Sequence, residues 1–317
     1  MTVNEKIAKI REMMQANGID AVIVPSADPH MSEYFSDHWK TRAWLSGFTG
    51  SAGTFVITKS IAGLWTDGRY YVQAEKQLAG SEGVLFKMNE PETPKVYEYL
   101  AKELPENAVV GINGKLFSAS YVQIMKDAFA KKNIQINNQI DYANEIWEGR
   151  PEESATEIYN LGVEYAGKSA AEKISELREK LREKEADAIV VNTLDGIAWL
   201  YNIRANDVAC TPVAIAYAYV SQEDAILFTN TARVNDSVLR VLSENGITMR
   251  PYEDIFEYLE NMKKDLRVLC DQKELNYSLY HIVQNNEHLS VVSADNPIKL
   301  MKALKNEVET KNTYEAY

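Results

Sequence analysis

Ile7-Ala8-Lys9-Ile10-Arg11-Glu12, followed by Asp20-Ala21-Val22-Ile23-Val24, returns as Ile174-Ser175-Glu176-Leu177-Arg178-Glu179, followed by Asp187-Ala188-Ile189-Val190-Val191. The offset is 167 residues in both halves of the phrase. Ile and Leu three apart, leading into a short apolar run rich in β-branched residues, read as a helix that feeds a strand buried on both faces. That is the opening of an α/β domain, and the chain contains it twice.

The echo continues outward with changes in length, as expected where insertions fall in surface loops. Ala43-Trp44-Leu45 matches Ala198-Trp199-Leu200 at an offset of 155, so the first copy carries about twelve extra residues, placed within 25–38. Leu64-Trp65-Thr66-Asp67 matches Leu227-Phe228-Thr229-Asn230 at an offset of 163. The first copy then predicts a helix over 95–104, a strand over 108–112, a helix over 119–131 and a strand over 134–136. The second predicts a helix over 255–264, a strand over 267–270, a helix over 279–285 and a strand over 289–292. Helices alternating with short apolar strands define an α/β fold: two tandem duplicated domains, each a mostly mixed central sheet with helices on both faces. Two copies are too few for a solenoid, so they are two domains. The expected boundary is the polar stretch Gly149-Arg150-Pro151-Glu152-Glu153-Ser154, which gives domains over 1–150 and 151–303.

Bulk properties remove several function classes. A length of 317 residues suffices for two domains with their own cores. The net charge is −12 and the basic residues are scattered, so there is no footprint for nucleic acid. Two cysteines are too few for a disulfide framework, the first eleven residues lack a basic region followed by an apolar core, and no apolar run approaches a bilayer-spanning length. No membrane partner and a reducing cytoplasm are expected.

Three segments could carry chemistry. Asp28-Pro29-His30-Met31-Ser32-Glu33-Tyr34-Phe35-Ser36-Asp37-His38-Trp39 collects His and carboxylate side chains of the types that bind zinc, manganese or iron. His30 and His38 are eight residues apart in a segment broken by Pro29, however, whereas two ligands on one helix face need a spacing of four. The competing reading is an ordered loop whose Asp and Ser residues close turns. In Ser46-Gly47-Phe48-Thr49-Gly50-Ser51-Ala52-Gly53-Thr54, three glycines precede a β-type run without a phosphate-loop or dinucleotide pattern. They read as a tight turn into a strand, or as a place of close backbone approach. In Trp65-Thr66-Asp67-Gly68-Arg69-Tyr70, Asp67 is expected to cap the helix that follows, and Arg69 then emerges at a strand-to-helix corner, where open α/β sheets place ligand groups; a salt bridge to a neighbouring carboxylate is the competing role. Trp44, Trp65 and Trp199 are expected to be core or interface aromatics. No nucleophile elbow is present, and neither Cys210 nor Cys270 has a neighbouring His in sequence, so no catalytic residue is assigned.

Together, Val24-Pro25-Ser26 through Asp28-x-His30-x-Ser32-Glu33-Tyr34, the stretch from Arg42 to Thr54, and Trp65-Thr66-Asp67-Gly68-Arg69-Tyr70 closely resemble the first domain of the cytosolic-type Xaa-Pro aminopeptidase (aminopeptidase P) family. Asp195-Gly196-Ile197-Ala198-Trp199-Leu200-Tyr201-Asn202-Ile203-Arg204 with Asn206-Asp207-Val208 resembles that family's second domain, and Trp147-x-x-Arg150-Pro151 its linker. The resemblance implies two creatinase/prolidase-type N-terminal domains followed by a "pita-bread" catalytic domain. There, two metal ions, usually manganese, held by two Asp, one His and two Glu, activate a bridging hydroxide against the bond before proline. Residues 304–317 resemble the first helix of that domain, and no residue of this chain matches its ligand positions, so no metal or other cofactor is expected here. The resemblance further implies that the chain shapes substrate access and assembly, with the catalytic domain and a peptide bearing proline at its second position as partners. The family's homodimer of the full-length enzyme is built largely on the catalytic domain, so these two domains alone are expected to be monomeric or weakly associated. Arg42, Asp67 and Arg69 are the candidates for reaching toward substrate or the catalytic domain. The alternative is a free-standing binding or regulatory module built from the same duplicated domain.

Overall fold

A computed structural model describes every residue, Met1–Tyr317. The helix that opens the chain, α1 (Val3–Ala16), is started by Thr2: its hydroxyl accepts from the Glu5 N–H at 3.3 Å, and the Glu5 carboxylate accepts from the Thr2 N–H at 2.7 Å. Ile7, Ile10 and Met14 form its buried face. The chain then runs through β1 (Ala21–Pro25), α2 (Thr41–Ser46), β2 (Thr54–Thr58), β3 (Ala62–Thr66), α3 (Tyr71–Leu78), β4 (Gly83–Lys87), α4 (Val96–Glu103), β5 (Val109–Ile112), α5 (Ala119–Phe129), β6 (Gln135–Asn137) and α6 (Tyr142–Ile146). The second half runs through β7 (Tyr159–Asn160), α7 (Val163–Ala166), α8 (Ala170–Glu183), β8 (Ala188–Val191), α9 (Leu194–Leu200), β9 (Ile203–Arg204), β10 (Ala216–Ser221), β11 (Ala225–Thr229), α10 (Asp236–Glu244), β12 (Thr248–Arg250), α11 (Asp254–Glu260), β13 (Leu266–Cys270), α12 (Tyr277–Asn285), β14 (Leu289–Ser293), α13 (Ile298–Ala303) and α14 (Glu307–Ala316).

The sheets repeat the same topology, β4-β3-β2-β1-β5-β6 and β12-β11-β10-β8-β13-β14. In each, the first strand is antiparallel to one neighbour and parallel to the other, so both sheets are mixed. Strand β8 shows why its sequence is continuously apolar. Ile189 and Val191 join a core shared with α8 and α10, while Ala188 and Val190 point to the opposite face, against α11 and α12. In the first sheet, Val22, Val24, Phe55, Ile57 and Leu64 share a core with α1 and α2.

The chain forms two compact units, one comprising Met1–Asp28 with Asp37–Glu152, the other Pro29–Ser36 with Glu153–Tyr317. The division after Glu152 lies in the polar stretch around Pro151. The residues inserted within 25–38 supply Pro29–Ser36 to the second unit, which nothing in the sequence announces.

The duplication extends to individual side chains. Lys6 donates to the Trp44 carbonyl at 2.6 Å with its ammonium 4.4 Å from the Trp44 ring; Lys173 donates to the Trp199 carbonyl at 2.9 Å, 4.3 Å from the Trp199 ring. Arg11 donates to the Thr58 carbonyl at the end of β2, and Arg178 to the Ser221 carbonyl at the end of β10. Asp20 accepts from the Val109 N–H and Asp187 from the Arg267 N–H, each clamping a carboxylate to the neighbouring parallel strand. All three pairs are separated by the same 167 residues.

Candidate functional site

The candidate surface of the first unit is built where α2, the glycine loop and the β3–α3 corner meet. Helix α2 stops at Gly47, whose φ of 74° is left-handed and suits a residue without Cβ. Gly50 and Gly53 are required for a different reason. A Cβ on Gly50 would lie 2.2 Å from the Phe48 ring, and one on Gly53 would lie 2.9 Å from the Trp65 carbonyl oxygen. The loop therefore uses its glycines both to turn and to let chain segments approach closely.

Arg42 is 4 % exposed and its guanidinium is directed into this loop. It donates to Ser26 Oγ at 2.9 Å and to the carbonyls of Phe48 and Gly50, and packs 4.8 Å from the Phe48 ring. Burial pushes it down to about 10, which leaves it charged at neutral pH. Its charge is distributed over carbonyl dipoles that set the shape of the loop.

Asp67 and Arg69 lie at the corner. Arg69 Nε and Nη2 donate to the two Asp67 carboxylate oxygens at 2.9 and 2.8 Å, and the Arg69 N–H adds a third bond at 3.1 Å. These bonds, the side-chain bond foremost, hold the Asp67 carboxyl below its ordinary range. Asp67 was expected to cap the following helix, and it does not. Helix α3 begins only at Tyr71 without a side-chain cap, because the carboxylate closes a turn onto residue 69 instead. The salt bridge weighed as the competing role for Arg69 is present, with its partner two residues away.

Residues that sequence reading did not single out join the loop to the corner. Tyr70 shares a 2.6 Å hydrogen bond with Ser51, its ring lies under the Arg69 guanidinium at 5.2 Å, and it packs edge-on against Phe48. The Thr49 hydroxyl accepts from Gln73 and Gln77 of α3. Arg42, Asp67 and Arg69 thus belong to one connected surface, Arg42 beneath it and the Asp67–Arg69 fork upon it. Gln73 and Gln77 lie four residues apart on α3, the spacing that puts both on one helix face.

The His and carboxylate cluster does not assemble as a ligand set. His30 is buried in the second unit between Asn192 and Tyr252, and His38 Nδ1 donates to the Pro151 carbonyl at 2.8 Å in the first. His281 lies on α12 beside Tyr277 and Asn285, and His288 bonds Asp265 at 2.8 Å. No group of three or more His, Cys, Asp or Glu side chains is placed to hold a metal ion, so the residues present do not fit a binuclear centre. Trp65 is fully buried and Trp199 nearly so, while Trp44 is half-buried and stacks on Trp147 at 4.8 Å.

The second unit holds a further buried polar centre. Asp207 accepts from the N–H and hydroxyl of Thr156, from Ser154 and from the Ile215 N–H, and pairs with Arg233, which also donates to Thr229 and the Ile215 carbonyl. Every polar atom of the pair is engaged, which is what a buried ion pair requires.

Sequence comparison defines the class. The Creatinase/Prolidase N-terminal domain matches residues 6–150 and again, as a second form of the same domain, residues 149–309. The chain belongs to the creatinase/prolidase N-terminal domain family, which it contains in duplicate. Its relatives include the probable Xaa-Pro aminopeptidase P of Laccaria bicolor, 38 % identical over 97 % of this chain and 48 % of that protein. Xaa-Pro aminopeptidase 1 of Dictyostelium discoideum is 36 % identical over 100 % of this chain and 51 % of that protein. The chain spans about half the length of the curated relatives it matches. In structure it is similar to the X-prolyl aminopeptidase of Caenorhabditis elegans, described as a cytosolic enzyme with a di-nuclear active site: the TM-score is 0.91 at 29 % identity, over 98 % of this chain and 53 % of that one. No helix is long and apolar enough to cross a membrane.

Proposed function

We propose that this chain is the non-catalytic N-terminal region of a cytoplasmic, metal-dependent Xaa-Pro aminopeptidase. In this reading it shapes substrate access and assembly for a catalytic domain that holds two divalent ions, of which manganese is the family's usual choice. The observation that carries the reading is the match to the C. elegans enzyme over 98 % of this chain but 53 % of that one. Residues 304–317, which include α14, are the start of the catalytic domain. The Asp67–Arg69 fork reaches toward a peptide substrate or the catalytic domain, since an exposed guanidinium at a corner suits a carboxylate or carbonyl. Arg42 serves that surface from below by holding the glycine loop.

Incubated with manganese and a peptide bearing proline at position two, the chain should show no turnover; activity abolished by a chelator would refute the reading. In the full-length enzyme, Arg69→Ala should raise KM with little change in thermal stability, because an exposed pair contributes only about 0–1 kcal/mol. An unchanged KM would remove Arg69 from any role in substrate access.

A further inference from the structure

The second unit contains a cradle built to read an imidazole ring. His30 is 2 % exposed, and both of its nitrogens are satisfied there. Nδ1 lies 2.8 Å from the Asn192 carbonyl oxygen, which can only accept, so Nδ1 carries a proton. In the neutral ring Nε2 is then the acceptor, and it lies 2.8 Å from the Tyr252 hydroxyl, which donates. Two aromatic rings pack beside it at tilted angles: the Tyr217 ring lies at 4.6 Å and the Tyr252 ring at 5.9 Å. Burial above all raises Tyr252 well above the ordinary phenol range, which keeps its O–H available as a donor.

A network of side-chain amides holds the cradle around the ring. Asn276 caps α12 by accepting from the Leu279 N–H at 3.0 Å, so its amide orientation is determined. Its Nδ2 then donates to the Asn192 side-chain oxygen at 2.9 Å and to the Pro29 carbonyl at 3.0 Å. Asn192 in turn donates to the Glu274 carbonyl at 3.1 Å. The residue before the imidazole is therefore read through its carbonyl, and the residue after it, Met31, turns away with a left-handed φ of 56°.

We propose that Asn192, Tyr217, Tyr252 and Asn276 form a recognition pocket for a neutral imidazole side chain and the backbone carbonyl that precedes it, filled by the chain's own residues 29 and 30. A ring that both donates and accepts fits it; a ring that does only one leaves the Asn192 carbonyl or the Tyr252 hydroxyl without its imidazole partner.

The test uses the full chain with His30→Gly, which opens an imidazole-sized vacancy. Calorimetric titration should show imidazole binding at least about tenfold more tightly than pyrrole, which only donates, or pyridine, which only accepts. Adding Tyr252→Phe should remove the preference over pyrrole. Equal binding of the three rings, or no binding of imidazole to the folded variant, overturns the proposal. Should His30→Gly fail to fold, Tyr252→Phe with His30 intact decides. Nitrogen NMR should show the His30 Nε2 resonance shifted while the Nδ1 proton stays protected from exchange, and an unshifted Nε2 overturns the assignment.

Discussion

Replacing Lys173 with methionine is expected to change how stability depends on pH. Lys173 is 1 % exposed, with its ammonium bonded to the Trp199 carbonyl and to Asn202 Oδ1 at 2.7 Å. Burial, partly offset by Glu309, lowers it from 10.5 to about 8. A base whose folded value lies below its unfolded one binds fewer protons in the native state between those two values, so its contribution to stability rises with pH across that window. Between pH 7 and pH 9.5 the rise from this one group comes to about 2 kcal/mol. Cys270, pushed up to about 12 by burial, acts in the opposite direction as the unfolded thiol ionises, as do the buried tyrosines at higher pH. These contributions cancel when wild type and Lys173→Met are compared at the same pH. Urea unfolding of both chains at a series of pH values should therefore show the difference in favour of wild type growing by about 2 kcal/mol, or about 4–8 °C in Tm for a unit of this size. A difference that stays constant to within about 0.5 kcal/mol would show that the ammonium is not desolvated in the native state and refute the reasoning.

Two further substitutions probe packing and pairing. Asp207→Asn removes the carboxylate that faces Arg233 and is expected to cost about 3–5 kcal/mol, because it strands a buried guanidinium; a loss below about 1 kcal/mol in urea unfolding would mean that water reaches the pair. Gly53→Ala places a methyl group 2.9 Å from a backbone oxygen that cannot rotate aside, so a loss of about 1–3 kcal/mol is expected in thermal unfolding, and a neutral outcome would show that the loop can shift away from β3.

The architecture was legible because the signals that define it are local. Apolar periodicity placed the elements from the helix over 95–104, observed as Val96–Glu103, to the strand over 289–292, observed as Leu289–Ser293. The predicted helix over 119–131 ends as α-helix at Phe129, then tightens into a 3-10 turn that Asn133 closes at a left-handed φ of 51°. The candidate surface was legible only in part. Arg42, Asp67 and Arg69 are chemically suggestive in any sequence, but the burial of Arg42 depends on carbonyls that the glycine loop brings to it. Tyr70 gains its bridging role only once Ser51 lies opposite. The role of His30 was out of reach, since its partners lie 162 and 222 residues away and no periodicity records them.

That separation also orders events during synthesis. The cradle that takes His30 includes Tyr252 and Asn276, so the Pro29–Ser36 strap leaves the ribosome long before its partners exist. At about 5–20 residues per second, the 247 positions between Pro29 and Asn276 correspond to about 12–50 s during which the strap waits undocked. The first unit can collapse around its own sheet in that interval, whereas the contacts of His30 with Tyr252 and of Pro29 with Asn276 form only after those partners are made. Docking of the strap is therefore a late, long-range step for a segment made early, and chaperones or proteases have that interval in which to act on it.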